Sequence, residues 1–361
     1  EYSKHDEKLI SKIHKAITII QFKLEGQVIK RHPEYKMEGR LLLDKIDYDK
    51  GTIIIDAKEY ELVDKNFPTI DPENPYELTD DELEVMERLR TAFMTSERLK
   101  KHMYFMCERG SIYNSYNSNL MFHGCIPMTP SGNFATVDIF GKKLRGKKLF
   151  DEIDRKVRQG MKVKNGTSEH SDVEDLLWYL WCGPKSPLFG KDKITTFEQY
   201  FIDEPKLHIE KKNPYYANVE KRDICIKILK EFGLSPAMSH IINGHVPVEI
   251  KKGQSPIKAG GKLFVIDGGL SKGYHPKTGI AGYTLLYNSH GLILTSHEPF
   301  ESKQKAIMEE LDIHSKTVVL EKAGKRKMVA DIDEGEVIKE QIKDLEDLLE
   351  AYRDGTIKQA Q

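Results

Sequence analysis

Two short apolar runs, far apart in the chain, end in the same two residues in opposite order. LMFHG places His123 and Gly124 after Leu120, Met121 and Phe122, and IINGH places Gly244 and His245 after Ile241, Ile242 and Asn243. Apolar runs of this length bounded by glycine read as strands. A histidine at a strand end can aim its imidazole into a cleft, and an adjacent glycine leaves room for a second group to approach. Two such strands side by side bring two imidazoles to one point. A single histidine on the edge of an apolar run is more often a hydrogen-bonded core residue than a ligand. Here both histidines stand at strand ends, and a glycine-rich turn, IDGG, follows the second, which is where ligands of layered α/β sheets usually sit.

The chain has 361 residues, enough for one large α/β domain or two ordinary ones. Lys and Arg number 56 against 57 Asp and Glu, a net charge of −1, which argues against a general nucleic-acid surface. LRGKK at Leu144–Lys148 and KAGKRKM at Lys322–Met328 then read as solvated turns. There is no apolar run of transmembrane length and no signal-peptide pattern, so the expected location is cytoplasmic, with no membrane contact. Cys107, Cys125, Cys182 and Cys225 form no CxxC pair and are expected as thiols rather than disulfides or zinc ligands.

Periodicity outlines the elements. Leu9, Ile13, Ile17, Ile20 and Leu24 give a helix from Lys8 to about Ile29, stopped at His32-Pro33. GTIIIDAKEYELV reads as a small hairpin around Asp56-Ala57-Lys58. Thr79 followed by Asp80, Asp81 and Glu82 opens a helix that runs to about Glu108, with a break near Thr95-Ser96. SIYNSYNSNLMFHG reads as one strand entering His123; KKLFDEIDRKVRQGM, SDVEDLLWYLWCG and VEKRDICIKILKEFGL read as helices. Beyond them come the strands HIINGH, KLFVIDGG and the pair GYTLLYNSHGLILTSH, read as continuing one sheet, then KTVVLEKAGKRKMV as another strand or hairpin, and a terminal helix. The expected divisions are a helical segment with an inserted hairpin over 1–110, a central domain over 111–300, and a strand-plus-helix segment over 301–361.

At His123-Gly124, Gly244-His245 and Ile266-Asp267-Gly268-Gly269 the sequence resembles the calcineurin-like metallophosphoesterases. Over longer stretches, among them IIQFKLEGQVIKRHPEYKM, NFPTIDPENPYELT, YNSNLMFHGCIPM, KSPLFGKDKITTFEQYF, INGHVPVEIKKGQSPIKAGGKLFVIDGG and KTGIAGYTLLYNSHGL, it resembles the class III fructose-1,6-bisphosphatases. The resemblance implies a layered α-β-β-α calcineurin-like metallophosphoesterase sandwich, with additional helices and a small β-hairpin. It implies a dinuclear site holding two Mn²⁺ or Mg²⁺ ions, with His123 and His245 both on the second ion, and hydrolysis of fructose 1,6-bisphosphate to fructose 6-phosphate in gluconeogenesis. The family's DxH, GDxxDRG-type and GNHD-type segments have no counterpart here, and where a GHxH member carries a further histidine this chain has Pro247. The expectation is therefore a C-terminal part of the enzyme, with no catalytic proton donor of its own, completed by a missing N-terminal half. The chain alone should then be incomplete.

A bisphosphate also needs cations for the phosphate that does not react. Lys272, Tyr274 and Lys277 in GGLSKGYHPKTG are the candidates, ahead of Lys185, Lys191 and Lys193. The long amphipathic helices are compatible with a homo-oligomer. The rival readings are another metallophosphoesterase, acting on proteins or dinucleotide polyphosphates, and a non-catalytic regulatory module on the same scaffold.

Overall fold

The computed structural model describes residues 6–160, 162, 167–267, 271, 273, 275–278, 282–297, 302–310, 315–322 and 324–357. In chain order the strands are β1 (Ile46–Asp47), β2 (Thr52–Ile55), β3 (Lys58–Glu61), β4 (Tyr113–Tyr116), β5 (Asn119–Phe122), β6 (Val137–Ile139) and β7 (Lys142–Leu144). They continue with β8 (His240–Asn243), β9 (Ile257–Lys258), β10 (Leu263–Val265), β11 (Gly282–Asn288), β12 (Gly291–His297) and β13 (Ser315–Lys322). The chain forms two compact units, one of Glu1–Ile112 with Cys125–Tyr216, the other of Tyr113–Gly124 with Ala217–Gln361.

The first unit is built on the helix Glu7–Arg31, which buries Ile19, Ile20, Phe22, Val28 and Ile29 and leaves Leu9 and Ile13 in solvent. Pro33 denies it a further backbone donor, and the chain turns into a short 3₁₀ segment. β1, β2 and β3 form an antiparallel meander, with Asp56 and Ala57 both at positive φ in the two-residue turn between β2 and β3, as the twist of a tight hairpin requires. One core joins Ile19, Phe22, Ile53, Leu62, Phe197 and Phe201; a second joins Val28, Tyr35, Ile139, Leu149, Leu176 and Tyr179.

Thr79 caps its helix reciprocally. Its side chain accepts from the Glu82 N–H, and the Glu82 carboxylate accepts from the Thr79 N–H at 3.0 Å. The same carboxylate receives the ammonium of Lys23 at 2.6 Å, and Lys23, fully buried, also donates to the Thr69 carbonyl at 2.5 Å. Removing one partner of a buried pair strands the other charge. Lys23→Ala should therefore lower the stability of this unit by about 3–5 kcal/mol, read from the urea unfolding midpoint. A midpoint unchanged by the substitution would mean that the pair contributes nothing net.

In the second unit one sheet has the order β4-β5-β8-β10-β9, and another has the order β11-β12-β13. β5, β8 and β10 are mutually parallel, with Leu120, Ile241 and Leu263 in register and fully buried. The connection from β5 to β8 passes through the first unit. Two sequence expectations are corrected. SIYNSYNSNLMF is a hairpin rather than one strand, because Asn117 and Ser118 take positive φ and fold β4 back on β5. The strands after β10 do not extend its sheet. A tight turn at Ser289-His290 pairs β11 with β12, and β13 adds antiparallel to β12; the resulting sheet faces the first across Ile242, Phe264, Leu285, Leu292 and Leu320. A cavity of about 540 Å³ lies between these faces, lined by Met121, Ile242, Leu285, Tyr287 and Lys327 among others; neither histidine borders it.

Candidate metal centre

β5 and β8 pair with Phe122 opposite Asn243, so His123 and Gly244 leave the sheet at the same edge. The Gly244 N–H donates to the His123 carbonyl at 3.0 Å, adding one more rung to the ladder. His245 comes next and turns its ring back: Nε2 of His123 and Nδ1 of His245 are 2.9 Å apart. The ring centroids are 4.7 Å apart and the planes are inclined by 63°. The backbone bends sharply to do this. His245 has a φ of +67°, and the Val246 N–H donates to the Gly244 carbonyl at 2.8 Å, a γ-turn centred on the histidine. Such a conformation costs a non-glycine residue about 1–3 kcal/mol and persists only where the surroundings enforce it.

The surroundings are specific. The Asn243 side chain, 4% exposed, donates through Nδ2 to the Gly124 carbonyl at 3.0 Å. From β10 the Ile266 N–H donates to the Asn243 carbonyl at 3.0 Å, and the Val248 N–H donates back to the Asp267 carbonyl at 2.9 Å. The expectation that glycine clears space beside His245 is corrected. A Cβ at Gly244 would meet Asp267 Cβ at 3.6 Å and the His123 carbonyl at 3.8 Å, both ordinary contacts. The close approach is made by the imidazoles, and the unusual φ falls on the histidine itself.

Burial lowers the pKa of His123 from its ordinary 6.5, the neighbouring His245 lowers it further, and the Asp267 carboxylate opposes both. A neutral imidazole is the form that binds a metal. The pair's 2.9 Å separation is also close to the bite of one octahedral ion. With nitrogen–metal distances near 2.1 Å, two cis ligands of an octahedral ion stand about 3.0 Å apart and those of a tetrahedral ion about 3.4 Å. The proton shared between the two nitrogens must leave when an ion enters. Among the described residues no group of three or more His, Cys, Asp or Glu side chains is arranged to hold a metal.

Lys272 and Tyr274 lie outside the described residues, as does the side chain of Lys277. The backbone at Lys277 belongs to the short helix His275–Thr278, which Lys251 anchors by donating to the Pro276 carbonyl at 2.7 Å. Lys185 and Lys191 are engaged elsewhere, with the Thr136 carbonyl at 3.0 Å and the Glu210 carboxylate at 2.6 Å. His240 is buried and hydrogen-bonds the Gly261 carbonyl, a structural role. The four cysteines are free thiols, three of them buried. Sequence reasoning missed Asn243 and Asp267. The one available signal for Asn243 was an amide closing an otherwise apolar run.

The family described as Firmicute fructose-1,6-bisphosphatase matches residues 1–354. The class 3 fructose-1,6-bisphosphatase of Alkaliphilus metalliredigens (strain QYMF) is 56% identical over 360 residues, which cover 99% of this chain and 54% of that protein. Those of Clostridium tetani (strain Massachusetts / E88) and Clostridium botulinum (strain Loch Maree / Type A3) are each 55% identical, over 98% and 99% of this chain and 54% and 53% of their own lengths. The chain thus spans about half the length of the curated relatives it matches. No solved structure matches it.

The electrostatics of the pair are directly measurable. His123 should titrate below 6.5 in the folded chain, so its contribution to stability is complete above that value and fades as the pH falls through 6.5 toward the folded pKa. His245→Ala removes a neighbour that disfavours the charged form, so the His123 pKa should rise. Imidazole proton shifts followed against pH would show it. A His123 titration curve that stays put in the variant would contradict the coupling.

Proposed function

The chain belongs to the Firmicute fructose-1,6-bisphosphatase family, and we propose that it supplies one side of a dinuclear metal site that hydrolyses fructose 1,6-bisphosphate to fructose 6-phosphate and phosphate, a step of gluconeogenesis. The observation that carries this reading is the pair of imidazole nitrogens 2.9 Å apart at the shared end of two parallel strands. The donor set favours a divalent ion: imidazoles from this chain, joined by carboxylates, suit Mn²⁺, and Mg²⁺ as an alternative. In our reading those carboxylates and the proton donor come from the part of the relatives' length that this chain does not span. The facing sheets of the second unit are the β-β layers of an α-β-β-α sandwich, completed by the same part.

Two bound ions would supply an acidified water and charge relief on the phosphoryl oxygens. The residues of this chain do the rest of what is assigned here. His123 and His245, whose Nε2 and Nδ1 lie 2.9 Å apart, would hold one ion, and burial favours the neutral form of His123 for that task. We assign Lys272, Tyr274 and Lys277 to the phosphate that is not cleaved. Apolar side chains left in solvent support the assembly with a further segment or copy: Phe93 is 63% exposed, Tyr104 64% and Leu345 64%, more than solvated helix faces usually show. Among the described residues no helix is long and apolar enough to cross a membrane, and we assign the reaction to the cytoplasm.

In the protein of the relatives' length, His245→Ala should cut phosphate release from fructose 1,6-bisphosphate by about 100-fold or more, because an ion with a lost ligand neither stays nor clamps. Native mass spectrometry should show one of the two ions lost before the other. Full turnover with both ions retained would leave His245 a structural residue.

A further inference from the structure

The run HIIN is buried throughout, and its last position is an amide among branched apolar side chains. An apolar residue there would satisfy burial equally well, so the amide needs a reason, and the bond made by its nitrogen supplies one. Nδ2 of Asn243 reaches the Gly124 carbonyl at 3.0 Å. Gly124 directly follows His123, and Asn243 stands two residues before His245. The backbone carbonyl of Asn243 also takes the Ile266 N–H from β10. One residue therefore ties together the ends of three parallel strands, two of which carry the imidazoles.

We propose that Asn243 is the positioning residue of the histidine pair: its side-chain amide latches the loop bearing His245 to the loop bearing His123 and fixes the separation of the two imidazoles. The claim rests on the metal-site reading given above. The need for a latch follows from the backbone. His245 sits at the centre of a γ-turn at positive φ, a conformation that relaxes unless it is held. Through the backbone the two loops are joined by the Gly244 N–H donating to the His123 carbonyl, and one such rung leaves the loops free to hinge about it. The Asn243 bond supplies a second point of attachment, on the side chain, to the next carbonyl along. Ligand pairs held in this way bind their ion about 10- to 100-fold more tightly than the same pair without the outer hydrogen bond.

The test uses a protein of the relatives' length, with ¹⁵N-labelled histidine and Mn²⁺ as the probe. Asn243→Asp keeps the size of the side chain and turns the donor into an acceptor facing the Gly124 carbonyl. Asn243→Leu removes the polar group. Ile241→Val, on the same strand and fully buried, weakens packing without touching the latch. Without metal, the wild type and Ile241→Val should show each imidazole locked in one tautomer. Both Asn243 variants should show averaged ring-nitrogen shifts and need about 10- to 100-fold more Mn²⁺ for equal broadening of the two histidines. The Asn243 side-chain amide protons of the wild type should also resist exchange with solvent, a reading that needs no variant. Variants with wild-type tautomers and Mn²⁺ dependence, or rapidly exchanging amide protons, would overturn the latch. Mn²⁺ that broadens neither imidazole of the wild type would overturn the metal reading instead, since the latch is judged on the metal-free shifts.

Discussion

The contact between His123 and His245 depends on one pairing, that of β5 with β8. Parallel strands fix which residues leave the sheet together, and Phe122 opposite Asn243 sends the two histidine loops out at one edge. A slip of one residue would exchange the two faces of β8. Ile242 would leave the interface with the second sheet, and His245 would point away from His123. The apolar sequence of the strands and the position of the imidazoles are therefore set by the same register. Burial of Leu120, Ile241 and Leu263 on one face and of Ile242 and Phe264 on the other makes that register costly to change.

The histidine loops add local strain to this frame. Backbone bonds from β10, the Asn243 amide and the γ-turn at His245 all act within a few residues. The first unit shows a different use of buried polar groups. Lys23 with Glu82 and Arg40 with Glu198 join segments distant in sequence through charge pairs that are nearly or wholly buried on at least one side. Removing one partner of such a pair strands a buried charge, whereas in the second unit the buried amide joins the two histidine-bearing loops.

Local signals were legible in the sequence wherever a few adjacent residues decide the outcome. The helix stop at His32-Pro33, the cap at Thr79, the break at Ser96 and the turn at Asp56-Ala57 each follow from backbone chemistry within one turn, and the structure has all four. The meeting of the two histidines was legible because strand ends and glycines mark them. The hairpin at Asn117-Ser118 was not, since it lacks the Asn-Gly signature of a tight turn. The division into two sheets was also hidden, because strand pairing is decided between distant segments. Asn243 shows the limit best. Its partner carbonyl belongs to Gly124, 119 residues earlier, and nothing near Asn243 in sequence reveals that bond.

The central claim is that this chain holds a pair of metal ligands and that the remaining catalytic groups lie in the part of its relatives it does not span. Two imidazoles alone give a hard divalent ion too few donors. The most direct measurement is phosphate release from fructose 1,6-bisphosphate with Mn²⁺, made on the 361-residue chain and on a protein of the relatives' full length. The account expects no turnover from the chain alone and a working hydrolase from the longer protein. Equal turnover from both would show that every catalytic group is already present in this chain and that the ligand assignment is wrong.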